Sequence, residues 1–171
     1  EQQSTEFVLQ PSNLSQLVAD CLQTRHSLLL NRQIQISNSL PDQRWVWAEP
    51  FWLGQAIGNL LDNAIDFTPA QGEIRIGNHH DQQQIQLSIE NDGEPIPAYA
   101  LSQVFDRYYS LPRPATGRKS TGIGLTLVKE IMLRHQGAVT LNNSDNGVCA
   151  SLWLAQADPS TDRQTTATKS S

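Results

Sequence analysis

The segment between Pro50 and Pro69 constrains the fold of this chain more than any other stretch. Its apolar residues recur at helical spacing, which predicts a helix that begins at Pro50 and is ended by Pro69. One stripe of this helix is apolar, at Leu53, Ile57, Leu60, Ala64 and Ile65. Such a stripe has to be buried against another layer of secondary structure, so the rest of the chain must supply that layer.

Alternating apolar and polar residues on both sides of this helix predict strands that form the second layer. These strands are predicted at residues 5–10, 32–37, 44–49, 73–80, 83–91, 138–143 and 147–155. Two further helices are predicted, a first over residues 14–30, capped by Ser12, and a last over 122–137. We expect a turn at 38–43 and a hairpin at 73–91. The predicted fold class is α/β, a two-layer sandwich of one mixed β-sheet with three main helices on one face.

The length of 171 residues suits one domain, which we place at residues 1–155. Residues 156–171 contain almost no apolar side chains, which predicts a disordered C-terminal tail. The net charge of −5 argues against nucleic acid as a partner. No apolar run is long enough to span a bilayer, and no secretory signal pattern opens the sequence. Cys21 and Cys149 are predicted to be buried thiols in a reducing compartment.

Two amides stand one turn apart at the edge of the apolar stripe of the central helix. Asn59 and Asn63 are at positions i and i+4, so they share a helix face. Each of them could simply hydrogen-bond to neighbouring backbone. Together they could instead direct carbonyl oxygens at one Mg²⁺ ion, which in proteins takes one or two side-chain oxygens plus phosphates.

Three other segments carry features of a nucleotide site, and each has an alternative interpretation. In "IENDGEPIP", Asn91 and Asp92 offer acceptors for an exocyclic amine such as adenine N6, although the segment also resembles an ordinary turn. In "STGIGL" (120–125), glycines open a helix, where free N–H groups attract phosphate. Residues 105–120 carry a net charge of +3, which suits phosphate or a solvated surface.

In this order, "NLLDNAIDFT", "NDGEPIP", "VFDRYYS" and "TGIGLTLVKEI" resemble the N, G1, F and G2 boxes of sensor histidine kinases. The resemblance covers roughly residues 5–155. It implies a Bergerat-type sandwich, the fold shared with DNA gyrase B, MutL and the heat-shock chaperone ATPases. It also implies ATP and Mg²⁺ as cofactors.

The resemblance implies roles for the residues at matching positions. Asn63 would be the metal ligand, and Asn59, Asn63 and Arg107 would be the catalytic residues near the phosphates. Residues 110–121 would form a mobile ATP lid. The remaining cofactor-binding residues would be Asp66, Phe67, Asn91, Asp92, Gly93, Ile96, Tyr108, Arg118, Lys119, Ser120, Thr121, Gly122, Ile123, Gly124 and Leu125.

Four features, at five positions, depart from the family pattern. Asn91 replaces the usual adenine-binding Asp, and Pro95 replaces the second glycine of that box. Asp66 occupies the place of a customary Lys or Arg, and Lys119 with Ser120 replaces glycines before the G2 box. Asn91, Pro95 and Asp66 favour the alternative function, a degenerate nucleotide-binding docking module without transferase activity, whereas Asn59, Asn63 and Arg107 favour the kinase, and Lys119 could restore the missing cation.

The residues in the matching positions favour phosphoryl transfer over hydrolysis. Related ATPases have a Glu on this helix as the base that activates water, and Gln55 in its place cannot accept a proton. Transfer to a histidine depends mainly on positioning, Mg²⁺ and cations. We therefore expect the γ-phosphoryl group of ATP to be transferred to a histidine.

No stretch reads His-Glu/Asp-x-x-x-Pro, so the accepting histidine is expected on a separate dimerisation domain. His26, His79, His80 and His135 are predicted to be structural or surface residues. A cognate response regulator would be the second partner. The chain is then the cytoplasmic catalytic part of an inner-membrane sensor, monomeric by itself, whereas the parent would be a homodimer.

Overall fold

The computed structural model describes residues 6–112 and 123–160. Strands and helices alternate along these residues, as expected for an α/β domain. Their order is β1 (Gln10–Asn13), α1 (Leu14–Thr24), α2 (His26–Asn31), β2 (Gln35–Asn38), β3 (Trp45–Ala48), α3 (Pro50–Phe67), β4 (Glu73–His80), β5 (Gln84–Asp92), α4 (Ala98–Leu101), α5 (Gly124–Arg134), β6 (Ala138–Asn143) and β7 (Gly147–Ala155).

Five strands form one mixed sheet in the order β2-β4-β5-β7-β6. β2 and β4 are parallel, and the other neighbouring pairs are antiparallel. On β5, Ile85, Leu87 and Ile89 alternate with polar residues, so one sheet face is apolar and is covered by the helices. Helix α3 packs on β5 and contacts both α1 and α5. The predicted fold class is confirmed.

Helix α3 begins and ends where the sequence predicts. Glu49 caps it, because its Oε2 atom accepts a hydrogen bond from the Trp52 N–H at 2.8 Å. At the other end the Thr68 N–H donates to the Ala64 carbonyl at 3.0 Å, and Pro69 follows. The predicted apolar stripe of this helix is buried throughout.

The N-terminal elements differ from the prediction. β1 covers Gln10–Asn13 and pairs antiparallel with β3, so these two strands form a small separate sheet. The strands on either side of the predicted turn therefore belong to different sheets, since β2 pairs with β4 instead. The choice of strand partner is not local, and alternation within a strand does not reveal it.

The first predicted helix is divided at Arg25 into α1 and α2. Asn13, not Ser12, caps it, because the Asn13 side chain accepts the hydrogen bond from the Gln16 N–H. Ser12 lies in β1, where its hydroxyl donates to the Ala48 carbonyl at 3.2 Å. Serine is a common N-cap residue, so a serine in a strand just before a helix can be mistaken for the cap when only the sequence is known.

The domain extends further than the predicted boundary at residue 155. The Gln156 N–H donates to the Gln83 carbonyl at 2.8 Å, and the Ala157 N–H donates to the Trp45 carbonyl at 3.0 Å. The folded part thus includes at least the first two residues of the predicted tail, whose residues 161–171 lie outside the described range. None of the described helices is long and apolar enough to span a membrane. Both cysteines are free, and partial burial raises their pKa values.

Candidate functional site

A cavity of about 550 Å³ lies between α3, the end of β5, residues 94–112 and the start of α5. This volume is in the usual range for small-molecule sites. One wall, from α3, is polar and consists of Asn59, Asp62, Asn63 and Asp66. The lining residues from the other elements are mainly apolar and include Ile96, Val104, Leu125, Leu141 and Val148. The cavity therefore suits a ligand with one polar end and one flat, apolar end.

The helical repeat of α3 places the four polar side chains together. Asn59, Asp62, Asn63 and Asp66 are at positions i, i+3, i+4 and i+7, which form one stripe along the helix. This stripe adjoins the buried stripe that packs on the sheet, so its side chains face the cavity at the edge of the core. Gln55, one turn before Asn59, is exposed and does not line the cavity.

Eight of the predicted site residues line this cavity: Asn59, Asn63, Asp66, Phe67, Asn91, Ile96, Gly124 and Leu125. Five predicted residues are described but do not line it: Asp92, Gly93, Arg107, Tyr108 and Ile123. Five others lie outside the described residues: Arg118, Lys119, Ser120, Thr121 and Gly122.

Asn91 presents one hydrogen-bond acceptor to the cavity. Its side chain is 5% exposed, and its Nδ2 atom donates to the Asp92 carbonyl at 2.9 Å. This bond assigns the orientation of the amide, uses one of the two Nδ2 hydrogens and leaves Oδ1 as the acceptor available to a ligand. An amide held in this way can accept a hydrogen bond from an exocyclic amine, as a carboxylate would.

Asp92 lies on the other face of the sheet, because successive residues of a strand point in opposite directions. Its Oδ1 accepts a hydrogen bond from Arg75 at 2.9 Å, and its Oδ2 accepts one from the Glu73 N–H at 3.0 Å. The hydrogen bond from Arg75 is the main cause that lowers the pKa of Asp92. The structure therefore gives Asp92 a role within the sheet, and a contact of Asp92 with the base stays a prediction.

The backbone conformation and the close neighbours at position 93 require a glycine there. Its φ is +151°, and a Cβ atom would lie 2.8 Å from the Phe67 carbonyl oxygen. The end of β5 thus passes close to the end of α3. That Gly93 lies beneath a ligand stays a prediction.

Arg107 and Tyr108 are not among the residues that line the cavity. Arg107 Nη2 lies 3.3 Å from Glu130 Oε1 on α5, and both side chains are more than half exposed. Tyr108 has a φ of 66° and is 69% exposed. The Thr126 hydroxyl donates to the Phe105 carbonyl at 3.0 Å, which holds this stretch on α5. A contact of Arg107 with phosphate stays a prediction.

The start of α5 leaves room for a ligand. Gly124 and Leu125 line the cavity, and among the described residues outside its own helix and chain neighbours no heavy atom lies within 4 Å of the place that a Cβ on Gly124 would take. The capping residue Ile123 makes no side-chain hydrogen bond to the helix start. Ile123 thus leaves the first N–H groups of α5 uncapped within the described part of the chain, a favourable arrangement for an anion.

The sequence did not identify several residues that line the cavity, among them Asp62, Glu94, Tyr99, Tyr109, Leu141 and Val148. Segment 94–97 is held by Asn143 at the end of β6, whose side chain exchanges hydrogen bonds of 2.7 and 2.9 Å with the Ile96 backbone. The partners are 47 residues apart, so no local pattern indicates the contact. The alternation of residues within β6 and β7 could have placed Leu141 and Val148 on the sheet face that the helices cover.

The histidines are surface or structural residues, as predicted. His26, His79 and His80 are exposed, whereas His135 is 4% exposed. None of the four histidines, all within the described residues, lines the cavity. His135 instead joins α5 to α3 through the Glu49 N–H, which donates to its Nε2 atom at 3.1 Å.

Comparison with known proteins finds the same fold and similar sequences. A family described as "Histidine kinase-, DNA gyrase B-, and HSP90-like ATPase" matches residues 48–158. The sensor protein CreC of Escherichia coli (strain K12) is 44% identical over 150 residues, which cover 87% of this chain and 31% of CreC. The chain spans about a third of the length of the curated relatives that it matches.

Two solved structures show the fold. The mycobacterial sensor histidine kinase MprB superimposes with a TM-score of 0.75 at 24% identity, over 87% of this chain and 98% of that one. Histidine kinase ThkA in complex with the response regulator protein TrrA gives a TM-score of 0.71 at 22% identity, over 87% of this chain and 42% of that one. At these identities the likeness concerns architecture alone.

Proposed function

This chain belongs to the family of histidine kinase-, DNA gyrase B- and HSP90-like ATPases, and we propose that it is the ATP-binding catalytic domain of a sensor histidine kinase. In this proposal it binds ATP with Mg²⁺ and transfers the γ-phosphoryl group to a histidine on a separate dimerisation domain. Its membership of an ATPase family supports the use of ATP.

The observation that carries the proposal is the division of the cavity into two chemically different ends. At the apolar end, the Asn91 amide offers its Oδ1 atom beside Ile96 and Val148. An adenine ring could be bound there between apolar side chains, with its N6 amine donating to Asn91. At the polar end, the α3 wall faces the start of α5, and the phosphates would lie between them.

The donor atoms of the α3 wall fit a magnesium ion. Asn59 and Asn63 supply amide oxygens and Asp66 supplies a carboxylate, all of them hard oxygen ligands on one side of the cavity. Asn63 is the proposed metal ligand. A bound Mg²⁺ would neutralise charge that develops on the transferred phosphoryl group. Gln55 is exposed and cannot act as a base, which supports transfer to a histidine over hydrolysis.

The proposed partners and location follow from the relatives. The chain spans only about a third of CreC, so the accepting histidine, the signal-sensing part and the membrane anchor would be in other parts of a longer protein. The structure of ThkA with a response regulator supports such a regulator as the final acceptor. We propose that this domain is monomeric and cytoplasmic, within a homodimeric inner-membrane sensor.

Calorimetric titration with ATP, in the presence and absence of Mg²⁺, tests the proposal directly. We expect Mg²⁺-dependent binding by the wild type and a loss of at least tenfold in affinity for Asn63→Ala. Asn78→Ala is the matched control, because Asn78 lies on β4 away from the cavity. Phosphate transfer from labelled ATP to an added histidine-containing domain then tests the reaction.

A second candidate function is favoured by one group of observations. Asp66 lines the cavity where the family pattern has a cation, and Arg107 is paired with Glu130 outside it. Both features would suit a nucleotide-binding docking module without transferase activity. Binding of ATP without transfer would identify such a module, and no binding at millimolar ATP would contradict both candidates.

A further inference from the structure

Arg25 contacts the wall of the cavity, although it lies outside all the segments that resemble family motifs. It stands at the junction of α1 and α2. Its Nε and Nη2 atoms donate to the two carboxylate oxygens of Asp62 at 2.7 and 3.2 Å. Its Nη1 atom donates to the Cys21 carbonyl at 3.0 Å, so the guanidinium is fixed from two sides.

Helix α3 has a glycine where this guanidinium crosses it. A Cβ atom on Gly58 would lie 2.7 Å from Arg25 Nη2, so the side chain passes directly over the helix backbone. Gly58 is one turn before Asp62, and the Arg25 side chain is 18% exposed while that of Asp62 is 53% exposed. The arginine side chain is thus mostly buried, and Asp62, whose carboxylate it binds, lines the cavity.

The charges around the cavity make this contact important for an anionic ligand. The described lining residues include three carboxylates, Asp62, Asp66 and Glu94, and neither a lysine nor an arginine. Asp62 and Asp66 are one turn apart on the proposed phosphate side. A triphosphate there would be repelled by both, unless a cation compensates one of them.

We infer that Arg25 is a positioning residue of the phosphate subsite, which acts by neutralising Asp62 and holding its carboxylate against α3. This inference rests on the proposed function, since it assumes that a nucleotide occupies the cavity. Arg25 would act through Asp62 and would not itself touch the nucleotide. Arg25 thus supplies a positive charge from outside α3. This charge lies on the side of the cavity where Asp66 replaces the cation of the family pattern.

The test compares ligands that differ in their number of phosphates. Affinities of MgATP, MgADP and adenosine are measured for the wild type, Arg25→Gln, Asp62→Asn and the double variant. We expect Arg25→Gln to bind MgATP about fivefold more weakly, MgADP less so, and adenosine unchanged, as for one charge near the phosphates. Asp62→Asn should bind MgATP more tightly by a similar factor, and the double variant should resemble the wild type.

Two further variants separate electrostatic from structural effects. Arg25→Lys keeps the charge and should keep most of the MgATP affinity. Arg75→Gln removes one positive charge from the opposite face of the sheet and should leave the affinity unchanged. The loss in Arg25→Gln should also shrink as salt rises from about 0.05 to 0.5 M, because the charges concerned are partly exposed.

The outcomes distinguish the inference from the proposed function. If the wild type binds no MgATP, both are wrong. If the wild type binds MgATP but Arg25→Gln weakens adenosine and MgATP equally, or Asp62→Asn weakens MgATP, the inference alone is wrong. If Arg25→Gln does not fold, Asp62→Asn and Arg25→Lys still test the sign of the charge effect.

Discussion

The Nε2 atom of His135 accepts a hydrogen bond from the backbone N–H of Glu49 at 3.1 Å, and this contact joins the end of α5 to the start of α3. His135 Nδ1 lies 2.8 Å from the Ile131 carbonyl, so Nδ1 carries the proton. The side chain of Glu49 in turn caps α3. The two helices that face each other across the cavity are thus joined at their other ends.

Replacing His135 with alanine should destabilise the domain strongly. The change removes a ring that is 4% exposed and leaves the Glu49 N–H without its acceptor. We expect the free energy of unfolding to fall by about 2–4 kcal/mol in urea titrations. His80→Ala is the control, because His80 is exposed and should change stability by less than about 0.5 kcal/mol. Equal effects of both variants would contradict the structural role of His135.

Replacement by alanine should change the free energy of unfolding in opposite directions at two glycines, Gly54 near the start of α3 and Gly93 close to its end. At Gly93 a Cβ would lie 2.8 Å from the Phe67 carbonyl oxygen, at a φ of +151°. We expect Gly93→Ala to lower the free energy of unfolding by about 2–3 kcal/mol. Gly54 is inside α3, and within the described ranges no heavy atom beyond its own helix backbone and chain neighbours lies within 4 Å of the place that its Cβ would take. Gly54→Ala should therefore raise stability by about 0.5–1 kcal/mol.

Chemical denaturation of both variants measures this difference. A stable Gly93→Ala domain would show that the ends of β5 and α3 can separate without cost, contrary to the close approach seen here. Gly54→Ala serves as the control for the substitution itself, since it adds the same methyl group in open space.

The elements that could be predicted from the sequence are those specified by local patterns. The periodicity of α3, with Pro50 at its start and Pro69 after its end, requires no knowledge of the tertiary structure. The positions of Asn59 and Asn63 beside a cavity followed from the same periodicity. Strand pairing could not be predicted in this way, because β3 takes as its partner β1, more than 30 residues earlier in the chain.

The difference between Asn91 and Asp92 shows where more could have been predicted. The alternation of Ile85, Leu87 and Ile89 continues to Asn91, which places Asn91 on the helix face and Asp92 on the other. The contact of Arg25 with Asp62 could not have been predicted in this way, because 37 residues separate the two and no periodicity relates them.

The orientation of the Asn91 amide predicts a preference for adenine. With Nδ2 bound to the Asp92 carbonyl, Oδ1 can accept from an amine but cannot donate to a carbonyl. Inosine triphosphate has a carbonyl oxygen in place of the N6 amine, so two acceptors would face each other. We expect the wild type to bind ATP at least tenfold more tightly than inosine triphosphate.

Calorimetric titration with both nucleotides measures this preference. Asn91→Ala should reduce it to within about threefold, whereas Asn142→Ala, an exposed position on β6, should leave it unchanged. Equal binding of both nucleotides by the wild type would show that Asn91 does not contact the base.

The ion pair of Asp92 with Arg75 predicts how stability changes in acid. The pKa of Asp92 is lowered from its ordinary value of 3.8, mainly by the hydrogen bond from Arg75. The folded state therefore binds this proton less readily than the unfolded state, and the carboxylate stabilises the fold above about pH 4. That contribution is lost as the pH falls through the lower folded value. Because Asp92 is 32% exposed, we expect about 1 kcal/mol.

Urea titrations of the wild type and Asp92→Asn at pH 6 and pH 3 measure this contribution. The wild type should lose more than Asp92→Asn between the two values, by up to about 1 kcal/mol, because the amide cannot be protonated in this range and keeps the acceptor for the Glu73 N–H. Asp42→Asn changes an exposed carboxylate outside this cluster and should lose as much as the wild type. An equal loss in Asp92→Asn and the wild type would mean that the pair with Arg75 contributes nothing to the acid sensitivity of the fold.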